Sequence, residues 1–246
     1  MRPSVDDIAA PPFPRGLPWI GVAGLRMDQQ LGRPVLVEFW DFCRPNSLRT
    51  LPYLIAWHER YERAGLRVIG VHTSGFPPST DPEAVAAAVE RLAIPYPVVV
   101  DVRRELWLHY GTDGWPTRYL FGPELTLRDL HAGEGGYRET ELAIQRELGV
   151  ERAPLEPLRP EDAPGVLLPA QSEDVEGAYS GPYAAGAAWA VLSGEGAIRV
   201  NGEERRIDHP GAHLLVDHGR HAEASLDLRV GEGVTCWATC FTPGAP

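Results

Sequence analysis

One short stretch, Val35 to Pro52, holds a carboxyl, a thiol, a guanidinium and a hydroxyl that could serve one site: Glu38, Cys43, Arg44 and Ser47. A thiol beside an arginine and just ahead of a helix start is biased toward the thiolate. The unpaired N–H groups and dipole of the helix stabilise negative charge there. A thiolate attacks disulfides, and peroxides oxidise it to a sulfenic acid that other thiols can reset. Glu38 stands in an apolar run, where burial favours the neutral acid and makes it a candidate proton handler; pairing with a nearby arginine is the alternative. Cys43 equally reads as a packing residue. A dithiol reductase releases its mixed disulfide with a second thiolate, and Ser47 cannot replace one, because a hydroxyl ionises far above neutral pH. Ordinary disulfide reduction therefore stops halfway here.

The elements that must hold these residues are legible from periodicity. Pro34 to Phe39 is an apolar run broken only by Glu38, as expected of a central strand. Asn46 or Ser47 can cap a helix in which Leu51, Leu54, Ile55, His58 and Tyr61 keep helical spacing, with a kink at Pro52 and an end at Gly65. Leu66 to Val71 is a second strand, a helix follows Asp81-Pro82-Glu83, and Pro97 to Asp101 is a third strand. Arg103 to Tyr110 is a short helix. Strands around Arg118–Phe121 and Thr126–His131 flank a turn at Gly122-Pro123-Glu124, and Thr140 to Leu148 is a last helix. The order β-α-β-α-β-α-β-β-α predicts parallel pairing covered by helices on both faces, closed by an antiparallel hairpin.

This segment resembles the thioredoxin superfamily, in its TlpA/ResA-like branch and the soluble half of DipZ-type proteins. The likeness rests on Phe39-Trp40, Asn46, Leu48-Arg49-Thr50-Leu51-Pro52, Ala56 through Tyr61, Gly65 through Thr73, and Trp115-Pro116-Thr117. It covers about residues 30–148. The family carries a C-x-x-C pair that this chain lacks. Without gaps, those cysteines fall on Arg44 and Ser47, which keeps Phe39-Trp40 and Pro52 at family spacing. A one-residue gap instead puts Cys43 and Asn46 there. The resemblance implies a buried acid at Glu38 that moves protons, and a cis-proline loop at Trp115-Pro116 facing the redox pair. With Trp40 and Thr117, that loop would shape a substrate groove.

Residues 150–166 hold four prolines and several charges and read as a linker. Beyond it the helical period disappears. Short strands recur at Ala188–Leu192, Ala197–Val200, Glu204–Ile207, His213–Val216, Ala222–Val230 and Val234–Phe241, and Asn201-Gly202 is a hairpin signal. The result is a small all-β sandwich over 167–246, after an extended lead-in at 1–30 and the α/β thioredoxin-like segment at 31–149. Gly194 through Gly202 and Asp217 through Val230 are similar to the jelly-roll-like domain that follows the thioredoxin part in DipZ-type proteins. Four histidines lie here (His209, His213, His218, His221) without metal-ligand spacing, so no metal or other cofactor is expected. Cys236 and Cys240 would lie about 13 Å apart on one face of a strand, beyond the roughly 7 Å reach of a disulfide.

Bulk composition narrows the partners. The net charge is −11, and all 23 basic residues are arginine. Such a surface repels phosphates and excludes nucleic acid as an expected partner. No run approaches the roughly 18 apolar residues of a membrane span. Met1 to Asp7 lacks the apolar core of a secretory signal, so the expected location is cytoplasmic. The sequence thus points to a thioredoxin-like thiol redox protein with a one-cysteine site, acting on a protein or small-molecule thiol or disulfide, or on a peroxide, with a separate reductant protein. The alternative is a non-catalytic binding protein that uses the groove and the sandwich as recognition surfaces. The sequence does not fix the oligomeric state.

Overall fold

The computed structural model describes residues 8–246; Met1 to Asp7, read above for a signal segment, lie outside the described residues. The described chain forms two compact units. The first comprises the chain up to Asp41, Asn46–Gly75 and Thr80–Glu156; the second comprises Phe42–Pro45, Phe76–Ser79 and Pro157–Pro246.

The first unit is built on Val35–Trp40, a strand buried at every residue. Counting from the N-terminus it is β2, because the pair Trp19–Ile20 forms β1. Arg67–His72 (β3) lies parallel to β2, from Val35 opposite Arg67 to Trp40 opposite His72. Val98–Val100 (β4) lies parallel to β3, and β1 pairs antiparallel with β4. On the other flank Thr117–Phe121 (β5) runs antiparallel to β2, and Leu127–Ala132 (β6) antiparallel to β5. The sheet order is β1-β4-β3-β2-β5-β6.

Parallel neighbours need long crossovers. The helix Pro45–Tyr61 (α1) joins β2 to β3, and Pro82–Arg91 (α2) joins β3 to β4. Asp81 caps α2 by accepting the N–H of Glu83, and Gly65 ends the α1 segment at φ +112°, where a side chain would be strained. Glu105–Tyr110 (α3) and Tyr137–Leu148 (α4) complete the helices. Residues up to 30 do more than lead in. They supply β1, and Phe13 and Met27 are buried in the core. A two-residue strand in Pro- and Gly-rich sequence shows no alternation, so composition alone did not reveal it.

Alternation along β2 divides its side chains. Val35, Val37 and Phe39 pack with Ile69, Val71, Leu106, Trp107 and Tyr110 on the α3 side. Leu36, Glu38 and Trp40 take the opposite face. Arg118, across the sheet from Glu38, lies there under Trp57 of α1 and Tyr137 of α4.

In the second unit, Glu203–Ile207 (β10), Gly196–Val200 (β9) and Leu228–Val230 (β12) form one antiparallel sheet. Gly211–Leu226 (β11), Gly181–Gly194 (β8), Val234–Thr242 (β13) and Val175–Glu176 (β7) form another. Ala188, Ala190, Leu192, Leu215 and Phe241 from the second sheet share one core with Ile198, Val200, Ile207 and Leu228 from the first, which makes a sandwich. Asn201 and Gly202 both have positive φ, at +51° and +89°, as a tight hairpin requires. Two expectations are corrected. His213–Val216 and the start of Ala222–Val230 are one long strand, β11, whose polar stretch around Gly219 is a bulge and not a break. A bulge between Cys236 and Ala238 shifts the register of β13, so Cys236 and Phe241 face the core and Cys240 does not.

Phe39 is 0% exposed and makes edge contacts with Trp107, Tyr110 and Tyr119. Phe39→Ala should cost about 3–5 kcal/mol of first-unit stability in urea unfolding; a loss below about 1 kcal/mol would contradict this account of the core.

Candidate functional site

The carboxyl ends of β2 and β3 carry a cluster of buried polar groups. Asp41, immediately after β2, joins two loops. Its N–H donates to Ser47 Oγ at 3.2 Å, its Oδ2 accepts the Gly75 N–H at 2.7 Å, and its Oδ1 lies 3.5 Å from His72 Nε2. Asp41, Ser47 and His72 are all 0% exposed. Helix α1 begins at Pro45, ahead of the expected caps, and Asn46 is exposed. Ser47 serves as an acceptor for the chain in front of the helix. Sequence reasoning passed over Asp41 and His72. The available signal was a polar residue at the end of each of two consecutive apolar strands.

Cys43 is 0% exposed, and no disulfide joins any of the three cysteines. The guanidinium of Arg44 lies 4.5 Å over the Phe76 ring. Both cysteines of β13 are poor thiolates. Burial pushes Cys236 above the ordinary thiol value and raises Cys240 further, with Asp174 adding to the effect.

The Trp115–Pro116 peptide is cis. Trp115 Nε1 donates to the Thr73 carbonyl at 2.9 Å, and Thr117 Oγ1 to the Gly114 carbonyl at 2.7 Å. Among the expected groove residues only Trp115 is partly exposed; Pro116 and Thr117 are buried. Trp40 is 0% exposed and is no groove wall. Alternation puts it on the Glu38 face of β2, where its ring meets His72 edge-on at 5.1 Å.

Glu38 is fully buried, and neither carboxylate oxygen has a hydrogen-bond partner among the described residues. Burial pushes it up to about 8, against the opposing pull of Arg118. Arg118 is 1% exposed and stands directly across the strand pair from Glu38. Its Nη2 donates to the Gly135 carbonyl at 2.6 Å, while Nε and Nη1 have no partner among the described residues. The sequence offered both a proton handler and an arginine-paired acid for Glu38. The structure supplies the arginine and still leaves the carboxyl without a hydrogen bond. Arg118 was legible only in register, as the residue that follows Trp115-Pro116-Thr117.

A parallel β2-β3-β4 core, an antiparallel β5-β6 hairpin, a loop running into α1 and a proline loop beside it together define the thioredoxin arrangement, and residues 21–130 match the model of the AhpC/TSA family. The match spans less than half of the chain. Protein DipZ of Mycobacterium tuberculosis is 31% identical over 157 residues, which is 63% of this chain and 21% of DipZ. The chain thus spans about a fifth of that relative's length. The thiol-disulfide oxidoreductase ResA of Geobacillus thermodenitrificans is 27% identical over 109 residues, 44% of this chain and 59% of ResA. Among solved structures, a thiol-disulfide isomerase from Corynebacterium glutamicum superposes with a TM-score of 0.51 at 22% identity, covering 58% of this chain and 98% of that one. This last likeness shows the fold alone. No helix among the described residues is long and apolar enough to cross a membrane.

The raised Glu38 has a consequence for stability. The unfolded acid ionises near 4.5 and the folded one near 8, so between these values the folded state holds a proton that the unfolded state has lost. The stability that Glu38 contributes is therefore fully present below about pH 4.5 and is lost as pH rises through about 8. Urea unfolding of the wild type should lose on the order of a few kcal/mol from this acid between those limits. Glu38→Gln should flatten that slope, whatever its absolute stability. An unchanged slope in the variant would contradict the assignment.

Proposed function

We propose that this chain, whose residues 21–130 match the AhpC/TSA family model, is a thioredoxin-like redox protein acting through one thiol, Cys43, on small-molecule oxidants and thiols. The observation that carries this reading is placement. Cys43 is the single cysteine between the end of β2 and the start of α1, and the helix begins two residues later at Pro45. The N-terminus of that helix favours the thiolate, and the full burial of Cys43 works against it. The name of the relative ResA adds thiol–disulfide chemistry as the reaction class.

The cycle needs no second cysteine. The Cys43 thiol reduces a peroxide, ROOH, to ROH and becomes a sulfenic acid. A low-molecular-weight thiol condenses with it, releasing water and leaving a mixed disulfide. A second such thiol frees Cys43 and leaves as the oxidised disulfide. Glu38 would handle protons in these steps. Cys43 has no exposed surface, so peroxide, small thiol and any separate reductant protein all reach it only where the loop opens.

That burial also favours a second reading. A thiol and a serine that are both 0% exposed suit a non-catalytic binding protein, in which the loop near Trp115 and the sandwich are recognition surfaces.

One experiment separates the two. The folded protein is treated with peroxide at neutral pH, then with a small thiol, and each cysteine is followed by mass spectrometry. Cys43 should form a sulfenic or mixed-disulfide mass at least about tenfold faster than Cys236 and Cys240, whose thiols are held protonated, and it should revert with the thiol. Modification of Cys43 only after unfolding would end the one-thiol reading and leave the binding protein.

A further inference from the structure

We propose that Tyr96 and His58 form the route by which the buried carboxyl of Glu38 exchanges its proton with solvent. The proposal rests on the reading of Glu38 as a group that changes protonation, and not on chemistry at Cys43.

Glu38 has no exposed surface, so its proton does not pass directly to solvent. Its neighbour across β2 and β3 is Gly70. A Cβ at Gly70 would meet Trp40 Nε1 at 3.0 Å and Tyr96 Cε2 at 3.3 Å, so the missing side chain is what lets the Tyr96 ring sit beside this strand position. Tyr96 is 2% exposed, its hydroxyl has no hydrogen-bond partner among the described residues, and the charge of Glu38 acts on it. The Tyr96 ring meets the His58 ring at 5.8 Å and 64°. His58 is 8% exposed, and its Nδ1 is buried without a partner. Its Nε2 lies 3.6 Å from Glu62 Oε2, on a side chain 58% exposed. The Tyr96 ring thus lies between the strand position beside Glu38 and the His58 ring, and the relay forms its hydrogen bonds only as these side chains move, since none of the three atoms has one among the described residues.

Elimination leads to the same pair. The other polar side chains of this layer are Trp40, Trp57, Arg118 and His72, and the His72 imidazole lies against Asp41, both of them 0% exposed, so it leads away from solvent. Indole and guanidinium nitrogens donate but do not accept, so they cannot pass a proton along. A hydroxyl and a neutral imidazole do both. Tyr96 stays a neutral hydroxyl, because burial and Glu38 hold its ionisation well above the ordinary value. It accepts a proton on oxygen as it gives up its own. The imidazole accepts at one nitrogen and releases at the other, and exchange with water resets its tautomer. The titratable groups facing Glu38 are Arg118 and Tyr96; Arg118 in turn faces Tyr137, Asp129 and His131, and His58 faces Glu62.

The test uses the full chain with 13C-labelled glutamate carboxyls, the Glu38 resonance being assigned with Glu38→Gln. Spectra are taken from about pH 6 to about pH 10, bracketing the midpoint. The wild type should show one moving Glu38 resonance, in fast exchange. Tyr96→Phe and His58→Gln should each slow the exchange at least about tenfold, splitting or broadening the resonance, with the midpoint kept. Trp57→Phe removes a donor that cannot relay and should stay within about twofold of wild type. Cys43→Ser should match wild type, which separates this route from the fate of the thiol. Fast exchange retained in both Tyr96→Phe and His58→Gln would overturn the proposal, as would slowing equal in Trp57→Phe.

Discussion

A carboxyl group in the middle of a fully buried strand constrains everything packed around it. Removing an ionised carboxylate from water costs several kcal/mol even after the protein relaxes. The first unit meets that cost in two ways at once. It puts a guanidinium directly opposite, at Arg118 of β5, and it holds the acid protonated up to about pH 8. Neither device is complete, since the carboxyl gains no hydrogen bond among the described residues. A leucine at this position would pack with less penalty. Gly70 beside it, Trp40 and Tyr96 above it and Trp57 over Arg118 are arranged around an acid, and an ordinary apolar layer would need none of them.

The loop that follows the strand shows how the missing dithiol is accommodated. Ser47 stands where the ungapped family register places the second cysteine. Its hydroxyl accepts the Asp41 N–H, a role that a thiol fills poorly because sulfur is a weak acceptor. Asp41 then ties this loop to the one after β3 through Gly75 and His72. These hydrogen bonds tie the loop ahead of α1 to the loop after β3.

Much of the first unit was legible because its signals are local. The run Pro34 to Phe39, the cap at Asp81-Pro82 and the turn at Gly65 each determine their own conformation within a few residues. The site was legible only in part, for a different reason. Glu38 and Cys43 declare themselves by type. Arg118, Tyr96 and His72 matter through register and packing across strands, which periodicity in one segment cannot report. Trp40 was misplaced because the family pattern named it a groove residue, while simple alternation with Glu38 already put it beneath the helices. In the sandwich, Asn201-Gly202 gave its hairpin away. The bulges in β11 and β13 did not show, since a polar stretch inside a strand looks like a turn and one extra residue reverses which side chains face inward.

The acid and the thiol make different demands on the fold, and this bears on what the molecule is for. A binding protein needs surface, and nothing in surface recognition requires a protonated carboxyl beneath a central strand. A redox thiol needs a proton acceptor as it becomes the attacking thiolate and a donor as products leave. An acid that changes state near neutral pH supplies both, provided it can re-equilibrate with solvent between turnovers. Full burial makes that re-equilibration the difficult step, and a hydroxyl followed by an imidazole is the simplest way for side chains to accomplish it. Proton traffic would account for the cost of Glu38, which packing does not.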